Sequence, residues 1–133
     1  MPELLSAAWF ARFSAELSRA GSASGEPPLA LGQVVTGTPH GTIDYTILLD
    51  DEGAELIVGS TARAVVTLVE DWETAQRIVA GTPLAELLAA GRITLRGNAN
   101  ALLAAQTRVA ALGEALRALR GTTQTDDDGQ TER

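Results

Sequence analysis

The one histidine, His40, stands in Thr38-Pro39-His40-Gly41, a tight-turn composition. A catalytic imidazole needs an oriented partner in a concave setting. A turn between two strands offers neither, so His40 is expected to be an exposed turn residue. Two acidic clusters, Asp50-Asp51-Glu52 and Asp126-Asp127-Asp128-Gly129, share residue types with calcium loops. Neither has the ~12-residue loop with a terminal Glu and flanking helices that calcium requires. They are expected to be a solvated turn and a solvated tail. Gly81-Thr82-Pro83 and the Gly91/Gly97 pair do not form a phosphate loop, which needs a Lys the chain does not contain. Without Cys there are no thiolate nucleophiles, disulfides or thiolate-bound metals. Among carboxylates, Asp44 falls on the polar face of a strand, while Glu55 and Glu70 fall at strand ends. No catalytic residue and no metal site is expected. An enzyme reading would rest on Tyr45 or Asp44 as a weak acid–base group and has the least support.

The elements that would position these residues begin with a helix. Leu5, Trp9, Phe13 and Leu17 recur every four residues with Phe10 beside them, and Ser6 is a candidate cap. Gly21 to Pro28 reads as a linker. Strands are predicted over 31–36, 42–49, 55–58 and 63–70. Ile43, Tyr45 and Ile47 share one face of the second, with Asp44 and Thr46 on the other. Ala64, Val66 and Leu68 share one face of the fourth. The four read as an antiparallel meander with one covered face. Asp71 caps a short helix whose apolar side is Trp72, Ala75, Ile78 and Val79, with Gly81 past its end. Thr82 caps a second, with Pro83 at its first position and Leu84, Leu87 and Leu88 inward. A fifth strand over 92–96 follows. Strand, helices, strand reads as a crossover, which predicts that the fourth and fifth strands are parallel neighbours. A final helix over 99–120 carries a narrow seam of Leu102, Ala105, Val109, Leu112, Leu116 and Leu119, and Gly121 ends it.

With 133 residues and 45% hydrophobic residues the chain suits one folded domain, expected over 1–120, followed by a disordered acidic tail over 121–133. A net charge of −7 argues against nucleic acid and against anionic membranes as partners. No apolar run reaches the ~18 residues of a membrane span, and Met1-Pro2-Glu3 does not open a secretory signal. The expected location is the cytoplasm.

The motifs in order resemble the sterol carrier protein family, the type-two, non-specific lipid-transfer kind, in its short stand-alone bacterial form. They are Trp9-Phe10, then Val34-Val35-Thr36-Gly37-Thr38-Pro39-x-Gly41, then Ala64-x-Val66-Thr67-Leu68. Asp71-x-x-Thr74-Ala75-x-x-Ile78-x-x-Gly81 and Ala90-Gly91-Arg92-Ile93-x-Leu95-x-Gly97-Asn98 complete the set, which spans Leu4 to Thr123. Asn98 departs from the Asp often found there, and the chain does not end in a peroxisomal address. The resemblance implies an α+β fold: a five-stranded, mostly antiparallel sheet with helices packed on one face and an apolar cavity between them. It implies a fatty acid, acyl-CoA or sterol as the partner, with no cofactor. Trp9, Phe13, Tyr45, Ile47, Val66, Leu68, Trp72, Ile78, Leu84 and Leu88 are expected to border the cavity, from the inward faces of the predicted elements. No stable membrane insertion is expected, and the chain should be a monomer or a weak homodimer. The alternative is an interaction or dimerisation module with a vestigial cavity.

Overall fold

The structure is a computed structural model. It describes residues 3–20 and 25–131, with side chains described over 3–19 and 25–119. Helix α1 (Ala7–Ala20) opens where the Trp9 N–H donates to Ser6 Oγ at 3.1 Å, and its Leu5-Trp9-Phe13-Leu17 stripe is buried. The strands are β1 (Leu29–Thr38), β2 (Gly41–Asp50), β3 (Gly53–Val58), β4 (Val66–Asp71) and β5 (Ile93–Gly97). They form one sheet in the order β3-β2-β1-β4-β5. β1, β2 and β3 are the expected meander. β4 does not extend it but crosses to the far side of β1 and pairs with it in parallel, Leu31 opposite Val66 and Val35 opposite Glu70.

The expected parallel pairing of the fourth and fifth strands is overturned: β5 runs antiparallel to β4, with Ile93 opposite Glu70. The reason lies in the two helices between them, α2 (Trp72–Ala80) and α3 (Leu84–Ala89). A single crossover helix would return the chain to the start of β4. Here α2 leads away from the end of β4 and α3 leads back to it, so β5 starts where β4 stops. Asp71 caps α2 as expected, its carboxylate accepting from the Thr74 N–H at 2.8 Å, and Gly81 closes it at φ +110°. Thr82 does not cap α3. Pro83 is extended, outside the helix, and its carbonyl accepts from the Glu86 and Leu87 N–H groups.

The segment from Gly59 to Val65 covers part of the outer face of the sheet. Thr46 is fully buried there, its hydroxyl donating to the Ser60 carbonyl at 2.7 Å. Ala64 belongs to this segment and not to the Val66/Leu68 face, because it precedes β4 and packs over Gly32 with Thr61 and Thr67. A Cβ at Gly32 would sit 2.7 Å from Thr67 Oγ1 and 2.8 Å from the Ala64 Cβ, so only glycine lets the segment lie down. Gly97, at φ +93°, is equally constrained: a Cβ would come within 2.6 Å of the Val65 carbonyl.

The single C-terminal helix expected over 99–120 is two helices, α4 (Ala99–Ala104) and α5 (Gln106–Thr131), broken at Ala105. The start of α5 is capped from a distance. The Glu26 carboxylate accepts from the Thr107 N–H at 2.9 Å and the Arg108 N–H at 3.3 Å. Arg108, 4% exposed, donates to the Pro27 carbonyl (2.9 Å), the Glu26 carbonyl (2.6 Å) and Asp51 Oδ1 (2.8 Å). One buried guanidinium thus fastens the linker and the β2–β3 turn to α5. The seam packs within this chain, largely against α1, with Ala105, Leu112 and Leu119 buried. The helical backbone carries past Gly121, where a stop is predicted; an interior glycine costs only about 1 kcal/mol against alanine and need not end a helix. The side chains from 120 on, and residues 132–133 altogether, lie outside the described residues; where a disordered acidic tail is expected over 121–133, the described backbone to Thr131 is helical.

Candidate lipid site

α1, α2 and α5 cover the inner face of the sheet but do not fill the space beneath them. A cavity of about 350 Å³ remains, at the small end of the usual range for ligand pockets. Its roof is Leu4, Leu5, Trp9 and Phe13 on one side and Ala75, Ile78 and Val79 of α2 on the other. Its floor is the sheet, with Gln33 and Val35 from β1, Tyr45 and Ile47 from β2 and Glu70 from β4. Val109, Leu112, Gly113, Leu116 and Arg117 of α5 close a third side, and the turn from Gly81 to Leu84 forms the lip. The exposed members of this lining, Gly81, Pro83, Gly113 and Arg117, mark the mouth. Arg117 is paired there with Glu114 at 2.9 Å.

The aromatic wall is ordered by ring contacts. Trp9 lies 4.9 Å from Phe13 and 5.3 Å from Phe10, the latter edge-on, and Phe10 meets the Tyr45 ring edge-on at 5.0 Å. Such offset and T-shaped pairs fix ring positions as well as burying area. Leu5 is the one non-glycine residue with positive φ, +68°, among the described residues, and its side chain is buried against the cavity. A left-handed leucine costs roughly 1–2 kcal/mol, which burial of the side chain offsets.

Of the ten residues expected at the cavity, the structure brings together Trp9, Phe13, Tyr45, Ile47, Ile78 and Leu84. Val66 and Leu68 do not border it. They are 1% exposed on the inner face, packed in the solid part of the core. Trp72 and Leu88 are half-buried and also lie off the cavity. Trp72 is at the first position of α2, whereas the mouth is at its other end. Leu88 is one turn of α3, about 5.4 Å, beyond Leu84.

Sequence reasoning missed the polar floor. Glu70, set aside as a strand-end residue, shares the parity of Val66 and Leu68 and points inward, 5% exposed. Gln33 lies beside it, 7% exposed. With the Gln33 amide turned to donate, its nitrogen is 2.8 Å from one Glu70 carboxylate oxygen and 3.3 Å from the other. Burial, with a smaller contribution from the charge of Asp71, pushes the Glu70 carboxyl up to about 8. Burial, and then the neighbouring Glu70, also pushes the Tyr45 phenol well above its ordinary value. The signal was available: in Val66-x-Leu68-x-Glu70 the period of two leaves the carboxylate on the apolar face. Val109, Leu112 and Leu116 of the α5 seam also line the cavity, although the ten residues expected there include none of them.

Compared as sequence, the chain matches no protein-family model and no curated protein. Compared as structure, its fold is that of the sterol carrier proteins. A Thermus thermophilus protein, described as possibly a sterol carrier protein, superposes with a TM-score of 0.66 at 22% identity, over 88% of this chain and 90% of that one. A crystal structure of sterol carrier protein 2 gives 0.63 at 20% identity, over 89% and 98%. A palmitated sterol-carrier-protein-2-like protein from Aedes aegypti gives 0.57 at 19% identity, over 77% and 90%. The α+β architecture with a mixed five-stranded sheet is therefore the one the motifs implied. No helix among the described residues is long and apolar enough to cross a membrane.

Proposed function

We propose that this protein binds, and carries, a lipid with one long apolar chain, such as a fatty acid or an acyl-CoA, in the cavity between its sheet and helices. The observation that carries this reading is the cavity itself, walled by Trp9, Phe13, Ile47, Ile78 and Leu112, in a fold shared with sterol carrier proteins. The Aedes aegypti neighbour is palmitated, and palmitate is a ligand of the same chemistry. At ~30 Å³ per water-sized group the volume holds about a dozen such groups, which suits a chain of roughly twelve carbons better than a whole sterol. Each methylene taken from water contributes roughly 0.8 kcal/mol, on the order of 10 kcal/mol for such a chain before the entropy of association is subtracted. The work is equilibrium burial with no bond made or broken. It suits an acidic protein acting as a monomer in the cytoplasm, and the burial of the α5 seam within its own chain supports the monomer over a dimerisation module.

Native mass spectrometry of freshly purified protein, followed by lipid extraction, tests the proposal directly. An apolar adduct is expected. Added dodecanoate, below its micelle concentration, should change Trp9 fluorescence and raise stability by about 2.7 kcal/mol at a hundred times Kd. No adduct, no fluorescence change and an unmoved melting temperature together would overturn it.

A further inference from the structure

The cavity is apolar at its walls and polar at one place on its floor. Gln33 and Glu70 are both buried and meet each other across adjacent strands, whereas Pro83, Gly113 and Arg117 of the same lining are exposed. A purely aliphatic chain end pushed against them would strip their remaining water and give nothing back, which costs free energy for each buried polar group left unsatisfied. An oxygen at that end would take up their spare bonds. We propose that the Gln33–Glu70 pair anchors the leading end of the ligand, so that the cavity selects chains whose buried end carries a neutral oxygen, a primary alcohol foremost. This rests on the lipid-binding reading, adds to it an orientation, and ranks a fatty alcohol above a fatty acid as the ligand.

The groups around the pair fit a neutral partner better than an anionic one. Tyr45 of β2 lies two strands from Glu70, Asp71 follows Glu70 on β4 and is paired with Arg92, and among the described residues the one lining guanidinium, Arg117, is exposed and already paired with Glu114. With its carboxyl pushed up to about 8, Glu70 is mostly protonated at pH 7 and offers an O–H as well as an acceptor oxygen. An alcohol can accept from the one and donate to the other. A carboxylate placed there would face a second carboxyl that no cation pairs with among the described residues.

Binding of 1-dodecanol and 1-chlorododecane to the full chain, followed by Trp9 fluorescence, tests this. Replacing the pair (Gln33→Leu with Glu70→Leu) should weaken dodecanol about tenfold and leave the chloroalkane unchanged or tighter, whereas Glu70→Gln should hold dodecanol within about threefold of wild type. The wild type gives an independent reading that needs no variant to fold. The carbinol protons of 1-13C-dodecanol should show nuclear Overhauser contacts to the Gln33 amide and the Ile47 methyl groups. Contacts to Pro83 and Arg117 instead would overturn the anchor, as would an equal change for both probes in the double variant, with lipid binding itself left standing. Binding of neither probe by the wild type would remove the cavity reading and the anchor together.

Discussion

The inner face of the sheet has two halves built from the same strands. In one, Leu29 and Leu31 of β1 lie beside Leu49 of β2 and Val66 of β4, with Ile47 at the boundary between the halves; all but Leu49 are 1–2% exposed. In the other, Gln33 and Val35 lie beside Tyr45 and Glu70, with the cavity above them. The alternation of side chains is unbroken from one half to the other. What changes is the cover. At the first half large aliphatic side chains fill the core. At the second, α1, α2 and α5 stand apart around a space that the small residues Ala75 and Gly113 help to keep open. A filled core and an open cavity can therefore share one strand pattern, and the spacing of the helices makes the difference.

That comparison is broken or sharpened by substitution. In the filled half, Leu31→Ala should cost about 2–5 kcal/mol in urea unfolding, since it opens a new hole in close packing. At the hollow half, Ile78→Ala enlarges a space that already exists and should cost less, about 1 kcal/mol. Equal losses would mean that the cavity collapses in solution.

The pH dependence should set the halves apart by a few kcal/mol. Glu70 holds its proton more tightly folded than unfolded, with its carboxyl raised from 4.5 to about 8. The folded state then binds more protons than the unfolded one between those values, and stability falls as pH rises through that window. Its contribution is full below about 4.5 and gone above about 8. Glu70→Gln should flatten this part of the profile, and the difference between wild type and variant across pH 5 to 9 measures it. A difference that does not vary with pH would show Glu70 to be solvated.

The smallest effect is expected away from both halves. Truncation after Thr123 removes Asp126, Asp127 and Asp128 and should leave stability within about 0.5 kcal/mol, as for surface changes that touch no special feature. A larger loss in urea would show that the acidic segment docks on the domain.

The amino-acid sequence by itself determined the elements. A four-residue apolar period made α1, a two-residue period made β2 and β4, and Asp71 and Gly81 bounded α2, because these signals act over one or two turns of chain. Its ordered motifs were enough to point to the sterol carrier fold. Tertiary structure alone decided the rest. Which side of β1 the fourth strand joins depends on the path of the Gly59–Val65 segment, the direction of the fifth depends on how two short helices turn the chain around, and no local period records either. The start of α5 is held by Glu26 and Arg108 across more than eighty residues, so its break at Ala105 has no neighbouring cap to announce it. The cavity is a space, not a residue type. Val66 and Leu68 have the inward faces of lining residues, yet they lie in the solid half. Glu70 has the charge of a surface residue and stands at the floor, because its place on the face is set by alternation and its surroundings by the helices that cover it.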